Sequence, residues 1–164
     1  MKIFGIAGYS GSGKTTLLEE LIPRFVMEGL NVSLIKHAHH GFDIDRPGKD
    51  SYRAREAGCT EVLLTSDHRW VLMHELRGAP EPTLADQIKF LSPCDLVLVE
   101  GFKEAPIPKL EVHRPGIGKP PLFPANPNVV ALATDAVLDT QLPLFALDDY
   151  DGMVEFILKY LQIK

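Results

Sequence analysis

Gly8-Tyr9-Ser10-Gly11-Ser12-Gly13-Lys14-Thr15 constrains this chain more than any other stretch of it. The run matches G-x-x-x-x-G-K-[ST] at every fixed position. A short apolar run, Lys2 to Ala7, precedes it, and a run with apolar residues at helical spacing follows. Strand, glycine-rich turn and helix in that order form a cradle for phosphate. Gly8, Gly11 and Gly13 let the backbone turn sharply and approach a ligand closely. The amides of the loop, those of Ser10 and Ser12 included, then point inward at the positive end of the helix that begins near Lys14. Lys14 sets a mobile positive charge against the outer phosphates. The Thr15 hydroxyl is positioned to ligate Mg²⁺, and Thr16 adds a hydroxyl on the α-phosphate side. A deviant form of this loop carries an extra lysine near its start; Tyr9-Ser10 stands there, so the chain is not of that subclass.

The rest of the sequence alternates strands with helices. Thr15 to Glu28 reads as a helix, with a kink or early end expected at Pro23. Val32 to His37 reads as a strand, and Asp50 to Ala57 as a short helix stopped by Gly58. Glu61 to Ser66 and Trp70 to Glu75, split by Asp67-His68, suit a hairpin. Pro82-Thr83 opens a helix that runs to Leu91. Asp95 to Glu100, Lys109 to His113, Val129 to Thr134 and Leu144 to Leu147 are strands. Asp148 to Leu161 is an amphipathic helix with Met153, Phe156, Ile157, Tyr160 and Leu161 on one face. The expected fold is α/β: a mainly parallel sheet with helices on both faces and an antiparallel hairpin added. At 164 residues the expectation is a single nucleotide-binding domain, residues 1–164. No apolar run reaches the length of a membrane helix, and the two cysteines form neither a disulfide framework nor a zinc spacing. The cytosol is the expected compartment. A net charge of −5 argues against non-specific nucleic-acid binding, which rests on basic surface.

A metal held at the loop needs a carboxylate at the carboxyl end of a neighbouring strand. Asp95 and Glu100 bracket the best candidate and stand roughly 16 Å apart, so one alone reaches that edge. It is Glu100, at the C-terminal end. Lys36-His37-Ala38-His39-His40 follows another strand. It reads as a ligand-facing loop with His37 near the phosphates, as a solvated polar loop, or as a metal site using His37 and His39. Asp43 and Asp45 either serve the metal's outer shell and activate water, Asp45 then being catalytic beside Glu100, or start a turn before Pro47. Arg53 and Arg55 either reach an anion or are solvated. Guanine's usual Asn-Lys-x-Asp signature is absent, but Asp135 follows a strand and offers an acceptor for the guanine ring N–H and 2-amino group.

Residues 105–127 hold seven of the thirteen prolines. Lys109 to His113 alternates there as a half-buried strand would. With Ile107, Leu110, Val112, Ile117, Leu122 and Phe123, the segment carries more apolar surface than a solvated loop needs. The expectation is that it supplies a homodimer contact, its strand pairing or packing across subunits; the alternative is a long loop folded over its own domain.

The phosphate loop with Thr16, then Lys36-His37-Ala38-His39-His40, then Asp43-Ile44-Asp45-Arg46-Pro47-Gly48-Lys49-Asp50-Ser51, Ala57-Gly58, and Leu98-Val99-Glu100-Gly101-Phe102-Lys103 together resemble the molybdopterin-guanine dinucleotide biosynthesis protein B (MobB) family of P-loop NTPases. The resemblance spans essentially the whole chain. The family commonly has an Asp two residues after the strand-end lysine, where this chain has Ala38. The resemblance implies binding of GTP with Mg²⁺ and slow hydrolysis. It implies an accessory role to the guanylyltransferase that joins GMP to molybdopterin, and a homodimer with extended segments in the interface. It carries a phosphate role onto Gly11, Gly13, Lys14, Thr15 and Thr16, and a metal role onto Thr15 and Glu100. Two other readings stand beside it. A small P-loop kinase acting on a metabolite or nucleoside would carry an arginine-rich lid in its later half, where Arg114 is the single arginine. A metal-insertion GTPase would use the histidine cluster.

Overall fold

The structure, a computed structural model, describes residues 1–38 and 41–163. In chain order the elements are β1 (Lys2–Ala7), α1 (Lys14–Met27), β2 (Val32–Lys36), α2 (Asp50–Glu56), β3 (Glu61–Thr65), β4 (Trp70–His74), α3 (Leu84–Lys89), β5 (Leu96–Glu100), β6 (Lys109–His113), β7 (Val129–Thr134), β8 (Leu144–Phe145) and α4 (Tyr150–Leu161). The chain divides into two compact units, Met1–His37 with Leu84–Lys164, and Ala38–Thr83.

The first unit is a six-stranded sheet in the order β2-β5-β1-β6-β7-β8, and every pair in it is parallel. Parallel strands are covered on both faces. Phe4 and Ile6 of β1, Leu96 and Leu98 of β5, Leu110 and Val112 of β6, and Ala131 and Ala133 of β7 point to one face. Leu17, Leu18, Leu21 and Phe25 of α1 and Met153, Val154, Ile157 and Leu161 of α4 close over them. Each fully buried large side chain contributes about 1.5–3 kcal/mol. On α4 the buried stripe includes Val154, while Tyr160, expected inside, is 47% exposed. Val97, Val99 and Ile35 point to the opposite face and pack with Leu84, Ile88, Leu91, Phe102 and Ile107.

Helix α1 does not end at Pro23 but continues to Met27. Leu21 before the proline and Phe25 after it are both fully buried, so the apolar face holds the helix across the lost amide. The Arg24 guanidinium, donating at 2.7 Å to the Glu20 carbonyl, adds a side-chain bond there.

Strand β6 corrects the expected intersubunit strand. It lies inside the sheet, with β1 on one side and β7 on the other, and all five of its residues are buried. Its backbone edges are therefore taken, and Leu110 and Val112 belong to this chain's own core. The polar residues of the alternation are buried too. Lys109 Nζ donates to the carbonyls of Lys103 and Ala105 at 2.7 and 2.6 Å. The Glu111 carboxylate accepts from the amides of Leu122 and Phe123 at 2.7 and 2.9 Å. His113 Nδ1 lies 3.3 Å from the Thr134 hydroxyl. The proline-rich segment is thus tied to its own strand at both ends.

In the second unit, β3 and β4 pair antiparallel as the expected hairpin, Leu63 opposite Leu72 and Thr65 opposite Trp70. Arg55 of α2 organises this unit. It binds Asp45 through two nitrogens, Asp43 at 3.1 Å and Glu75 at 3.0 Å, and lies over the Tyr52 ring. Arg77, with φ 47°, donates to the carbonyls of Arg55 and Cys59.

Candidate functional site

The phosphate loop leaves the carboxyl end of β1, where β1's two neighbours diverge in connectivity: β5 lies on one side and β6 on the other. In open α/β sheets that switch point is where ligands sit. Gly8 has φ +144°, and a Cβ there would stand 2.5 Å from the carbonyl oxygen of Val112 and 2.7 Å from Ser12 Oγ. Only glycine lets the loop start this close to β6. The loop closes on itself through Ser12 N–H donating to the Tyr9 carbonyl at 3.2 Å, and Lys14 Nζ reaches back to the same carbonyl at 2.9 Å.

Four side chains converge beside the loop. Thr15 Oγ1 donates to Glu100 Oε1 at 3.3 Å. Lys36 Nζ donates to Thr15 Oγ1 at 3.3 Å and pairs with Glu100 Oε2 at 3.1 Å. The second contact is an ion pair without hydrogen-bond geometry, so Oε2 is a buried carboxylate oxygen with no hydrogen bond. Lys36 and Glu100 are register partners on adjacent strands, which is why they meet. Burial holds the Lys14 ammonium below its usual pKa; Glu100 opposes this shift, and the neighbouring charges of Lys103 and Lys36 add to it. Lys103 Nζ stands over the Tyr9 ring, 4.3 Å from its centroid. The ammonium groups of Lys36 and Lys103, both acting on that of Lys14, form a basin for a polyanion.

Glu100 Oε2 and the Thr15 hydroxyl are hard oxygen donors of the kind Mg²⁺ takes, together with phosphate and water. A buried carboxylate oxygen that has an ion pair but no hydrogen bond, beside a hydroxyl, fits such an ion.

The remaining candidates are distributed around this centre or away from it. The His37 amide donates to the Glu100 carbonyl at 3.0 Å, and its ring packs against Phe102 with centroids 4.9 Å apart. His37 Cβ lies 3.0 Å from where a Cβ on Gly101 would stand, so Gly101 makes room for it. His39 and His40 lie outside the described residues, and among the described residues no cluster of three or more His, Cys, Asp or Glu could hold a metal ion. Asp45 belongs to the unit Ala38–Thr83, where Arg55 engages both its oxygens. That bond holds the Asp45 carboxyl below its ordinary pKa. Asp135 follows β7 at the carboxyl edge and is exposed.

Sequence reasoning gave no role to Lys36, Lys103 or Arg114. For Lys36 a signal existed: it ends a strand, as Glu100 does, and strand ends converge at this edge. Arg114 has none, because its proximity to the loop arises only through the sheet: its Nε donates to the Ser12 carbonyl at 2.9 Å across 102 residues.

A family model described as "Molybdopterin guanine dinucleotide synthesis protein B", MobB, matches residues 3–135. A Haemophilus influenzae protein named molybdopterin-guanine dinucleotide biosynthesis adapter protein is 43% identical over 162 residues, 97% of this chain and 89% of that protein. The Escherichia coli protein of the same name is 39% identical over 163 residues, 98% and 93% of the two chains. The crystal structure of Bacillus subtilis MobB is similar over 100% of both chains, with a TM-score of 0.77 at 28% identity.

Proposed function

The chain belongs to the MobB family, and from that premise we propose that it is a GTP-binding adapter in the synthesis of the guanine dinucleotide form of the molybdenum cofactor. The observation that carries the nucleotide reading is the convergence of Thr15, Glu100, Lys36 and Lys14 at the phosphate loop. In this reading the triphosphate lies along the amides of Gly11 to Thr16, and Lys14 leaves the Tyr9 carbonyl for the outer phosphates. Thr15 and Glu100 would hold Mg²⁺, which supplies charge neutralisation at the outer phosphates and orients them. Asp135 would accept from the guanine ring, and His37 would border the phosphates.

Hydrolysis in this reading is slow. Nucleotidases gain about 10³- to 10⁵-fold from an arginine on the transferring phosphate. Arg114 leaves β6, on the opposite side of β1 from Glu100. Of the two carboxylates proposed for hydrolysis, Glu100 belongs to the loop's surroundings. Asp45, kept ionised by Arg55, suits a fixed negative charge better than a proton acceptor.

The reading includes residues 1–164 acting as one nucleotide-binding domain, a guanylyltransferase as partner, a homodimer, and a cytosolic setting. Leu63, Leu72 and Trp70, 62%, 47% and 65% exposed on one face of the hairpin, support a protein contact there. The test is calorimetric titration with GTP, ATP and CTP in Mg²⁺. Saturable binding of GTP, stronger than of ATP and CTP, is expected. Absence of binding to all three overturns the nucleotide reading.

A further inference from the structure

Arg114 directly follows β6 and reaches the last turn of the phosphate loop. Its Nε is spent on the Ser12 carbonyl, and Nη2 and Nε lie 3.5 and 3.6 Å from the point where a Cβ on Gly13 would stand. Gly13 thus leaves the guanidinium a place against the loop. Neither Nη has a hydrogen-bond partner among the described residues. A guanidinium carries five N–H donors and no acceptor. With Nε fixed, the remaining nitrogens form an oriented fork for a ligand with two acceptors.

The strand order says which part of a nucleotide comes here. Thr15, Glu100 and Lys36 mark the outer-phosphate end, on the β5 side of β1. A nucleotide laid along the loop from that end carries its base toward β6 and β7. His113 and Thr134 are register partners, so the next residues, Arg114 and Asp135, leave the sheet side by side. They are a cation and a carboxylate that form no ion pair with each other in the structure. Guanine presents two adjacent acceptors, O6 and N7, where adenine presents N7 and an amino donor. It also presents two donors, N1–H and the 2-amino group, on its pairing edge. A fork of donors beside a carboxylate matches guanine on both counts and mismatches adenine on both.

We propose that Arg114 is the residue that selects guanine: held by the Ser12 carbonyl through Nε, it directs its Nη hydrogens to O6 and N7, while Asp135 takes N1–H and the 2-amino group. This rests on the GTP reading of the same site and supplies the discriminator that the missing Asn-Lys-x-Asp signature leaves open. It also couples the base to the loop, because one side chain bonds to both.

Calorimetry with GTP, 7-deaza-GTP, ATP and inorganic triphosphate in Mg²⁺ tests it, on the wild type, Arg114→Gln and Arg114→Lys. The wild type is expected to prefer GTP over ATP and to bind 7-deaza-GTP, which lacks the N7 acceptor, more weakly than GTP. Arg114→Gln is expected to lose about ten- to a hundredfold in GTP affinity, as for loss of a bidentate arginine–guanine contact. Its affinity for inorganic triphosphate, which has no base, is expected to fall much less than its affinity for GTP, and Arg114→Lys, which keeps the charge but not the fork, to lose GTP preference as well. Equal losses for GTP and inorganic triphosphate would make Arg114 a brace or a phosphate ligand and overturn the assignment. So would an unchanged GTP-to-ATP ratio in the variants, or equal wild-type affinities for GTP and 7-deaza-GTP. A wild type that binds inorganic triphosphate but discriminates among no bases overturns Arg114's role and leaves the phosphate site standing. One that binds none of the four ligands overturns the site itself.

Discussion

Lys36 Nζ lies 3.1 Å from Oε2 of Glu100, its register partner on the next strand, and 3.3 Å from the Thr15 hydroxyl. An ammonium group therefore already offsets the charge of one oxygen suited to a divalent cation and hydrogen-bonds to the other. Removing it in Lys36→Met leaves Glu100 uncompensated and raises its attraction for such an ion. At 4 Å two unit charges interact by about 1 kcal/mol in water and about 4 kcal/mol near a protein surface; the Lys36 side chain is 50% exposed, which favours the water-like end, so a gain of roughly five- to tenfold in cation affinity is expected. Electron paramagnetic titration with Mn²⁺, without nucleotide, reads this directly. Glu100→Gln should move the same midpoint the other way. Identical midpoints in all three proteins would show that the pair does not govern the cation.

Lys14→Ala should abolish triphosphate binding while the protein stays folded. Its one side-chain hydrogen bond among the described residues is to the Tyr9 carbonyl on the loop, so stability should change by no more than about 0.5 kcal/mol. Each charge-assisted bond to phosphate that is lost costs about 1.5–3 kcal/mol of binding. Calorimetry and thermal unfolding on one preparation separate the two effects. Retained affinity would disprove the phosphate-loop role.

Glu111 titrates against burial. Burial pushes its carboxyl above the ordinary value of 4.5, and the Leu122 and Phe123 amides oppose the shift. The folded protein therefore keeps this proton at a pH where the unfolded chain has released it. Stability from this group is greatest below pH 4.5, falls as pH rises through its raised pKa, and is constant above. Glu111→Gln has no such proton. Urea unfolding should show the wild type losing stability relative to Glu111→Gln from pH 4.5 upward. A difference independent of pH would contradict this.

Gly8→Ala places a methyl group 2.5 Å from the Val112 carbonyl in a left-handed backbone. Rigid backbone stands there, so the loop must move off β6. A stability loss of about 1–3 kcal/mol together with lost triphosphate binding is expected from such strain. Urea unfolding and calorimetry check both, and an alanine variant that binds normally would show that the loop tolerates the shift.

The phosphate loop was legible because its chemistry is local: eight consecutive residues, a strand before and a helix after. Strands β6 and β7 were legible to the residue, β6 because Lys109 to His113 alternates and β7 because Val129 to Thr134 is a short apolar run. What that alternation could not reveal was the occupant of the polar face. Lys109, Glu111 and His113 look solvated in sequence, but each is buried and bonded within the chain, Lys109 to the carbonyls of Lys103 and Ala105, Glu111 to the amides of Leu122 and Phe123, and His113 to Thr134, so a half-buried strand was expected where a central one stands. That Lys36 faces Glu100 follows from the register of two strands far apart in sequence, of which the sequence shows only that both residues end strands; the bond from Arg114 to the Ser12 carbonyl has no local signal at all. At Pro23 the early end is absent, because burial of Leu21 before it and Phe25 after it holds the helix through to Met27.

The order β2-β5-β1-β6 places the first strand of the chain between two that come much later. Lys2 pairs with Leu96, and Ala7 with Glu111. During synthesis, β1 and the loop behind it must wait for about a hundred further residues, on the order of 5–20 s at ribosomal rates of about 5–20 residues per second. Through that interval Phe4 and Ile6 have no permanent neighbours in the sheet, and the loop has no Val112 carbonyl to set its start. The nucleotide cradle is encoded first and assembled late, so nascent chains halted before Glu111 should be unable to retain a triphosphate, whatever the quality of the loop sequence they already carry.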